Sequence, residues 1–151
     1  MSEPAGPISS SPRPKPGLYT LNADGGMVEG RAAIGVVLKD VDNSLVEAIS
    51  EPIEGALDHQ EAEFRALIRG LQLAREYGVD KIRVFLDSEL VVNTVGGDWN
   101  LHPPHLQGYL SEARALFAQF ADGKVCWVPR EMNTEADLLA SRALPPKRLR
   151  A

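Results

Sequence analysis

Residues 81–87, KIRVFLD, form the stretch that decides the fold. Apolar residues follow one another there almost without interruption, a pattern typical of a short strand that is covered on both faces. Asp87 closes the stretch, at the carboxyl end of the strand, where α/β sheets usually place their functional sites. These residues therefore predict a central strand whose end carries a candidate functional carboxylate.

Three further strands and a long helix are predicted before this central strand. The strands form an antiparallel meander, at residues 18–23, 32–40 and 44–50. The first is expected to end at Asp24, in a turn with the two glycines that follow, and Asp42-Asn43 is the expected turn between the second and the third. Apolar residues at helical spacing then predict a helix over 58–78, with Gly78 as its stop.

Three helices and one strand are predicted after the central strand. Their positions are residues 88–95 (helix), 103–120 (helix), 124–129 (strand) and 133–144 (helix). An antiparallel start followed by alternating strands and helices predicts an α/β domain, in which helices cover a mixed sheet.

Composition narrows the possible functions. The net charge is −5, from 16 Lys and Arg against 21 Asp and Glu. Bulk charge therefore opposes nucleic-acid binding, so a nucleic-acid-binding protein of this composition needs locally placed basic residues or metal ions. The single cysteine, Cys126, excludes an internal disulfide and a cysteine-rich zinc site, and we expect it to be a buried, inert thiol.

The sequence also predicts domain limits and a location. Residues 1–17, rich in Pro, Ser and Gly, are expected to be a disordered tail, residues 18–144 the globular domain, and residues 145–151 a basic tail. No apolar run approaches the ~18 to 20 residues of a membrane span, and no hydrophobic signal core is present. We therefore expect a cytoplasmic protein without membrane contact.

Four carboxylates stand at the ends of these elements or on faces that should be partly buried: Asp24, Glu63, Asp87 and Asp137. Each alone is readily explained as a turn former, a helix cap or a favourable first-turn charge. If the first and fourth strands are neighbours, however, the four meet at one point and repel by about 4 kcal/mol per pair at ~4 Å. Protons or divalent cations must relieve such a cluster, and all-oxygen ligands favour Mg²⁺ or Mn²⁺.

Four sequence blocks resemble those of ribonuclease H type 1, closest to the bacterial and archaeal branch whose second block begins E-A-E-[YF]. They occur in family order and near family spacing. The blocks are ADGG (23–26), QEAEFRALIRGLQLA (60–74), LDSELVVN (86–93) and VPREMNTEADLLA (128–140).

The resemblance implies a ribonuclease H-like α/β fold, with a five-stranded mixed sheet of order 3-2-1-4-5 flanked by α-helices and its first three strands antiparallel. It implies hydrolysis of the RNA strand of RNA–DNA hybrids, leaving 3′-hydroxyl and 5′-phosphate ends, by a mechanism that uses two Mg²⁺ or Mn²⁺ ions. An RNA–DNA hybrid is then the nucleic-acid partner, and a monomer is expected.

The resemblance also implies roles for individual residues. Asp24 would bridge both metals, Asp137 would hold the metal that activates water, and Glu63 and Asp87 the metal at the leaving 3′-oxygen. Contacts with the RNA 2′-hydroxyls are expected from Glu63 and from the backbone beside Asp24. The implied substrate-binding positions are Gly25, Gly26, Gln60, Ser88, Glu89, Trp99 and Asn133. Asn133 is also a candidate helix cap.

Departures from the family pattern leave alternatives open. The glycine- and proline-rich loop after the first Asp is replaced by GGMVEGRAA, and no Lys or Arg stands between Arg83 and Arg114, where the family commonly grips the DNA strand. A catalytically weak or inactive nucleic-acid-binding module on the same fold fits these departures. A nuclease of the superfamily that acts on another nucleic acid is the second alternative.

Overall fold

The computed structural model describes residues 14–146, which fold as five strands and four α-helices. The strands are Leu18–Val28 (β1), Arg31–Lys39 (β2), Leu45–Ile53 (β3), Lys81–Leu86 (β4) and Asp122–Trp127 (β5). The helices are His59–Glu76 (α1), Glu89–Val95 (α2), Pro104–Phe117 (α3) and Thr134–Arg142 (α4), with a short 3-10 turn at Arg130–Met132 before α4.

The strands form one mixed sheet in the order β3-β2-β1-β4-β5. Antiparallel pairing joins β1 to β2 and β2 to β3, whereas β4 pairs in parallel with β1 on one side and with β5 on the other. The expected fold is therefore confirmed. The first and fourth strands are neighbours, and this is the arrangement under which the four carboxylates were expected to meet.

The predicted end of β1 is wrong. Instead of turning at Asp24, the strand continues to Val28, and Asp24 lies opposite Gly35 of β2 in the ladder. The turn comes five residues later, at Glu29 and Gly30, whose φ angles are +51° and +77°. The two glycines after Asp24 serve close packing within the strand rather than a turn, whereas the second predicted turn is present, with Asn43 at φ +64°.

Helices cover both faces of the sheet. The buried side chains of α1, among them Phe64, Leu67 and Leu71, pack in the main core with those of β1 and β4. On the opposite face α4 buries Ala136 and Ala140 against β1 and β2. Cys126 is half-buried rather than buried, because β5 is an edge strand with one side open.

The predicted tails and the predicted lack of a membrane span can be compared with the structure only over residues 14–146. Most of both predicted tails, residues 1–13 and 147–151, lies outside the described part, and the tail limits stay a prediction. Lys15 is described, and its Nζ lies 3.1 Å from Oδ2 of Asp40 and 3.1 Å from Oδ2 of Asp42. Within residues 14–146, no helix combines the length and the apolar character that a membrane crossing needs.

Two glycines let helices approach the sheet more closely than any side chain would allow. A Cβ atom on Gly25 would lie 2.3 Å from the backbone of Ala62 in α1, and one on Gly35 would lie 2.1 Å from the carbonyl oxygen of Ala136 in α4. Neighbouring β1 residues face opposite sides of the sheet, and Gly35 faces the same side as its partner Asp24. The two helices therefore close on the same point of β1 from opposite faces.

We predict that Gly35→Ala destabilises the protein by about 3 kcal/mol or more, because the new methyl group overlaps the backbone of α4 and the helix must move. Urea unfolding measures the change. Gly108→Ala is the matched control, since a Cβ atom at this position in α3 meets nothing within 4 Å and alanine favours helix by up to ~1 kcal/mol. A Gly35→Ala protein as stable as wild type would contradict the close-approach account.

Candidate metal centre

Three carboxylates converge where β1, β4 and α1 meet. Asp24 comes from the middle of β1, Asp87 follows the last residue of β4, and Glu63 belongs to the second turn of α1. One oxygen atom from each carboxylate lies within 4.8 Å of the others. The structure therefore brings together, in one cluster, residues that are 24 to 63 positions apart in the chain.

Local contacts hold Glu63 in this cluster. The Asp58 side chain caps α1, with its Oδ1 accepting a hydrogen bond of 2.9 Å from the backbone N–H of Glu61. In the second turn of α1, Oε1 of Glu63 accepts a hydrogen bond of 2.8 Å from the backbone N–H of Gly25. The glycine that permits the approach of α1 therefore also fixes one of the carboxylate oxygens.

Asp137 faces the same pocket from α4. The pocket has a volume of about 440 Å³ and is lined by all four carboxylates. Nη2 of Arg130 lies 3.5 Å from Oδ1 of Asp137. The four acids that the sequence singled out thus surround one open space.

The cluster perturbs the acids that form it. Burial, reinforced by the charges of Glu63 and Asp87 and by hydrogen bonds with Asp137 and Glu63, raises the pKa of Asp24 to about 10. Burial and the Glu63 charge also raise the pKa of Asp87, against a lowering effect of the Asn133 hydrogen bond. In the absence of a cation, a proton on Asp24 relieves part of the repulsion.

Two basic side chains beside the cluster escaped the sequence analysis as site residues. Nε2 of His59 lies 3.5 Å from Oε2 of Glu63, and this hydrogen bond raises the pKa of His59. The Arg130 side chain is 79% exposed at the pocket rim beside Asp137. Their signals were present, since His59 directly precedes the second block and Arg130 lies within the fourth, but neither is a carboxylate, and mutual repulsion points only to carboxylates.

The predicted substrate-binding residues divide into three groups. Gly25, Gly26, Gln60 and Ser88 line the pocket. Glu89 and Trp99 do not line it, although Glu89 begins α2 beside Ser88 and the Trp99 side chain is 50% exposed.

Asn133 forms the third group, because it is turned inward. Only 1% of its surface is exposed, which leaves no face for a nucleic acid in this structure. It occupies the N-cap position of α4, yet its side chain makes no capping hydrogen bond and instead contacts β1 and Asp87. Its side chain therefore serves the protein interior.

The residues of the pocket fit divalent metal ions. The donor set is four carboxylates without a histidine or cysteine ligand among them, and hard cations such as Mg²⁺ and Mn²⁺ prefer oxygen ligands. Three of the oxygens are already close enough to share one ion. Burial is the largest cause of the raised pKa of Asp24 and the neighbouring anions add to it, so that without a cation the group keeps a proton.

Comparison with known proteins identifies the family. A family model described as reverse transcriptase-like matches residues 22–143. Ribonuclease HI of Halobacterium salinarum is 38% identical over 115 residues, which are 76% of this chain and 57% of that protein. The crystal structure of the ribonuclease H1 of that organism superposes with a TM-score of 0.80 at 34% identity, covering 84% of this chain and 97% of the other. The chain belongs to the ribonuclease H type 1 family.

Two further relatives extend the comparison. The bifunctional protein Rv2228c of Mycobacterium tuberculosis is 39% identical over 126 residues, which are 82% of this chain but only 35% of that protein. The chain thus spans about a third of the length of this mycobacterial relative. The ribonuclease H1 named LC11, whose structure contains an RNA/DNA hybrid, has a TM-score of 0.76 at 29% identity, covering 83% of this chain and 95% of the other.

We predict that Asp24→Asn stabilises the metal-free protein and that Mg²⁺ removes the advantage. With its raised pKa, folded Asp24 keeps a proton that the unfolded chain releases, so folding is increasingly opposed as pH rises from about 4 towards about 10. Asparagine avoids this penalty, and the free energy of unfolding should rise by about 2 kcal/mol at pH 8 and hardly change at pH 4. Urea unfolding in EDTA and in Mg²⁺ measures both effects.

The matched control is Asp98→Asn, which neutralises an exposed acid in the loop before α3 and should change stability by less than ~0.5 kcal/mol. If Asp24→Asn were less stable than wild type in EDTA at pH 8, burial and the neighbouring carboxylates would not be what determines the contribution of Asp24 to stability.

Proposed function

We propose that the protein is a metal-dependent endoribonuclease that hydrolyses the RNA strand of RNA–DNA hybrids, leaving 3′-hydroxyl and 5′-phosphate ends. The observation that carries the proposal is the convergence of Asp24, Glu63, Asp87 and Asp137 on one open pocket. Membership of the ribonuclease H type 1 family, and the hybrid bound by its LC11 relative, support the substrate class. The cytoplasmic location and the monomeric state stay predictions from the sequence.

The four carboxylates are assigned to two Mg²⁺ or Mn²⁺ ions. When bound, the ions supply the positive charge that lowers the pKa of the attacking water and stabilises the leaving 3′-oxygen. Asp24, at the centre of the cluster, would hold both ions. Asp137 would hold the ion on the water side, and Glu63 and Asp87 the ion on the leaving-group side.

The remaining pocket residues bind and orient the hybrid. Recognition of RNA depends on its 2′-hydroxyls, which donate and accept hydrogen bonds. Glu63 and the backbone at Gly25 and Gly26 line the pocket and would make such contacts, as would the side chains of Gln60 and Ser88. Arg130 at the rim presents a positive charge where a phosphate would enter.

A second candidate function has one observation in its favour. No Lys or Arg stands between Arg83 and Arg114, so this stretch of 30 residues, which contains α2 and the loop after it, offers no cation to a DNA strand. A binding module with weak or no catalysis fits such a surface. A cleavage assay distinguishes the two functions, since only the endoribonuclease is expected to cut the hybrid in the presence of metal ions.

We predict that Asp137→Asn lowers the rate of hybrid cleavage by roughly 10³-fold in Mg²⁺, because one ligand of the water-side ion is lost and such ions contribute several kcal/mol. A hybrid labelled on the RNA strand measures the rate, with single-stranded RNA, duplex RNA and duplex DNA as controls.

The matched variant is Glu135→Gln, in the same turn of α4. Oε1 of Glu135 lies 2.8 Å from Nζ of Lys39, outside the pocket lining, and the variant should cleave at the wild-type rate. If wild-type protein cuts no substrate in Mg²⁺ or Mn²⁺ at low salt, the nuclease proposal is wrong and the binding module is favoured. Cleavage of duplex DNA or duplex RNA in preference to the hybrid would favour a superfamily nuclease with another substrate.

We predict that Arg130→Gln weakens hybrid binding and reduces the slope of log affinity against log salt by about one unit, because one phosphate contact with its counterion release is lost. Fluorescence anisotropy with a labelled hybrid in Ca²⁺ measures the affinity without turnover. Arg142→Gln is the control, since this residue in the last turn of α4 does not line the pocket. Equal slopes of log affinity against log salt for wild type and Arg130→Gln would show that Arg130 makes no phosphate contact.

A further inference from the structure

We propose that Asn22 and Asn133 form a positioning pair that sets the geometry of the metal centre, an inference that rests on the proposed function. Neither residue is assigned as a metal ligand. Asn133 acts by holding groups that belong to three of the four carboxylate-bearing segments, and Asn22 acts by holding Asn133.

The Asn133 side chain links β1 to the end of β4. Its Nδ2 donates a hydrogen bond of 3.0 Å to the carbonyl oxygen of Ala23, the residue before Asp24, and one of 3.4 Å to Oδ2 of Asp87. The second bond fixes one oxygen of a carboxylate in the cluster. The first ties that oxygen to the backbone that carries the central aspartate.

The main chain of Asn133 links the same point to α4. Its carbonyl oxygen accepts a hydrogen bond of 3.1 Å from the backbone N–H of Asp137, the first helical bond of α4. One buried residue thus touches the peptide before Asp24, the side chain of Asp87 and the backbone of Asp137. A shift of Asn133 would therefore change the distances among three of the four carboxylates.

Asn22 determines which way the Asn133 amide points. Both acceptors, the Ala23 carbonyl and the Asp87 carboxylate, require the NH₂ group of Asn133 on their side, so its Oδ1 must face a donor. Nδ2 of Asn22 supplies that donor at 2.9 Å. Without it, the buried Oδ1 would lack a partner, which is unfavourable, and a rotated amide would place this oxygen against the two acceptors.

The surroundings of Asn22 point to the same role. It stands in β1 between Val37 of β2 and Phe85 of β4, on the same face as Asp24. Packing alone would favour an apolar residue at this half-buried position, since an amide there needs a hydrogen-bonding partner. Among the described contacts, its side-chain amide is bonded to Asn133 and to none of the four carboxylates.

The test is the affinity for Mn²⁺, measured by electron paramagnetic resonance, of wild type, Asn22→Leu, Asn133→Leu and the double variant. Residues that orient metal ligands change metal affinity by about 10- to 100-fold, so Asn22→Leu should bind Mn²⁺ at least ~10-fold more weakly. Because Asn22 acts through Asn133, the double variant should bind no more weakly than Asn133→Leu alone. The kcat at limiting metal should fall with the affinity, whereas KM for the hybrid should stay within about twofold.

The matched control is Thr20→Val, an isosteric loss of a polar group two residues earlier on the same half-buried face of β1. It should bind Mn²⁺ as wild type does. Wild-type Mn²⁺ affinity in Asn22→Leu, or additive losses in the double variant, would overturn the positioning pair, and so would a wild-type protein that binds no Mn²⁺. A wild type that binds Mn²⁺ but cuts no hybrid would overturn the proposed function alone, since the affinities of the variants still decide the inference.

Discussion

The close approach of two helices to one strand is the constraint on which the rest of the structure depends. Gly25 admits the first turns of α1 from one face of the sheet, and Gly35, the ladder partner of Asp24, admits α4 from the other. Side chains at these two positions would push the helices outward and separate Glu63 and Asp137 from Asp24. The parallel pairing of β1 with β4 adds Asp87 from the third direction. Backbone packing therefore determines the spacing of the carboxylates before any cation is present.

The same packing buries a carboxylate beside other carboxylates, and the described residues offset the resulting repulsion only in part. The pKa of Asp24 is raised to about 10 because burial and neighbouring acids oppose its charge. Arg130 and, when it is protonated, His59 each place a positive group 3.5 Å from one member of the cluster, but both side chains are largely exposed and so are well screened by water. Divalent cations would offset the repulsion among the carboxylates more completely. Such a cluster therefore favours binding of cations, although it does not stabilise the fold in their absence. Stability is lost locally so that affinity for metal can be gained.

The sequence predicted the parts of this arrangement that depend on pattern and on family blocks. The apolar stretch before Asp87, the helical spacing after Asp58 and the four acidic positions were readable without coordinates, and the resemblance supplied the strand order. The length of β1 was not readable, because Gly25 and Gly26 have the composition of a turn, and only their contacts with α1 and the ladder with β2 show that they belong to a strand.

The inward orientation of Asn133 escaped the sequence for a related reason. A polar residue before a helix is expected to cap it, and its partners Asn22 and Asp87 are distant in the chain. Arg130 was overlooked as a site residue because an arginine in a loop is most often a solvated charge. In both cases the missing information was tertiary contact rather than local propensity.

The central claim, that four carboxylates from β1, β4, α1 and α4 form one centre for two divalent ions, is tested most directly by diffraction. Crystals of wild-type and of Asp137→Asn protein, each grown in Mn²⁺ with a hybrid whose RNA strand carries a non-hydrolysable linkage, would be measured at the manganese absorption edge. The account predicts anomalous peaks inside the pocket in contact with Asp24, with two peaks ~4 Å apart when a hybrid and all four ligands are present and fewer in the variant. Peaks only outside the pocket, or none at millimolar Mn²⁺, would contradict it.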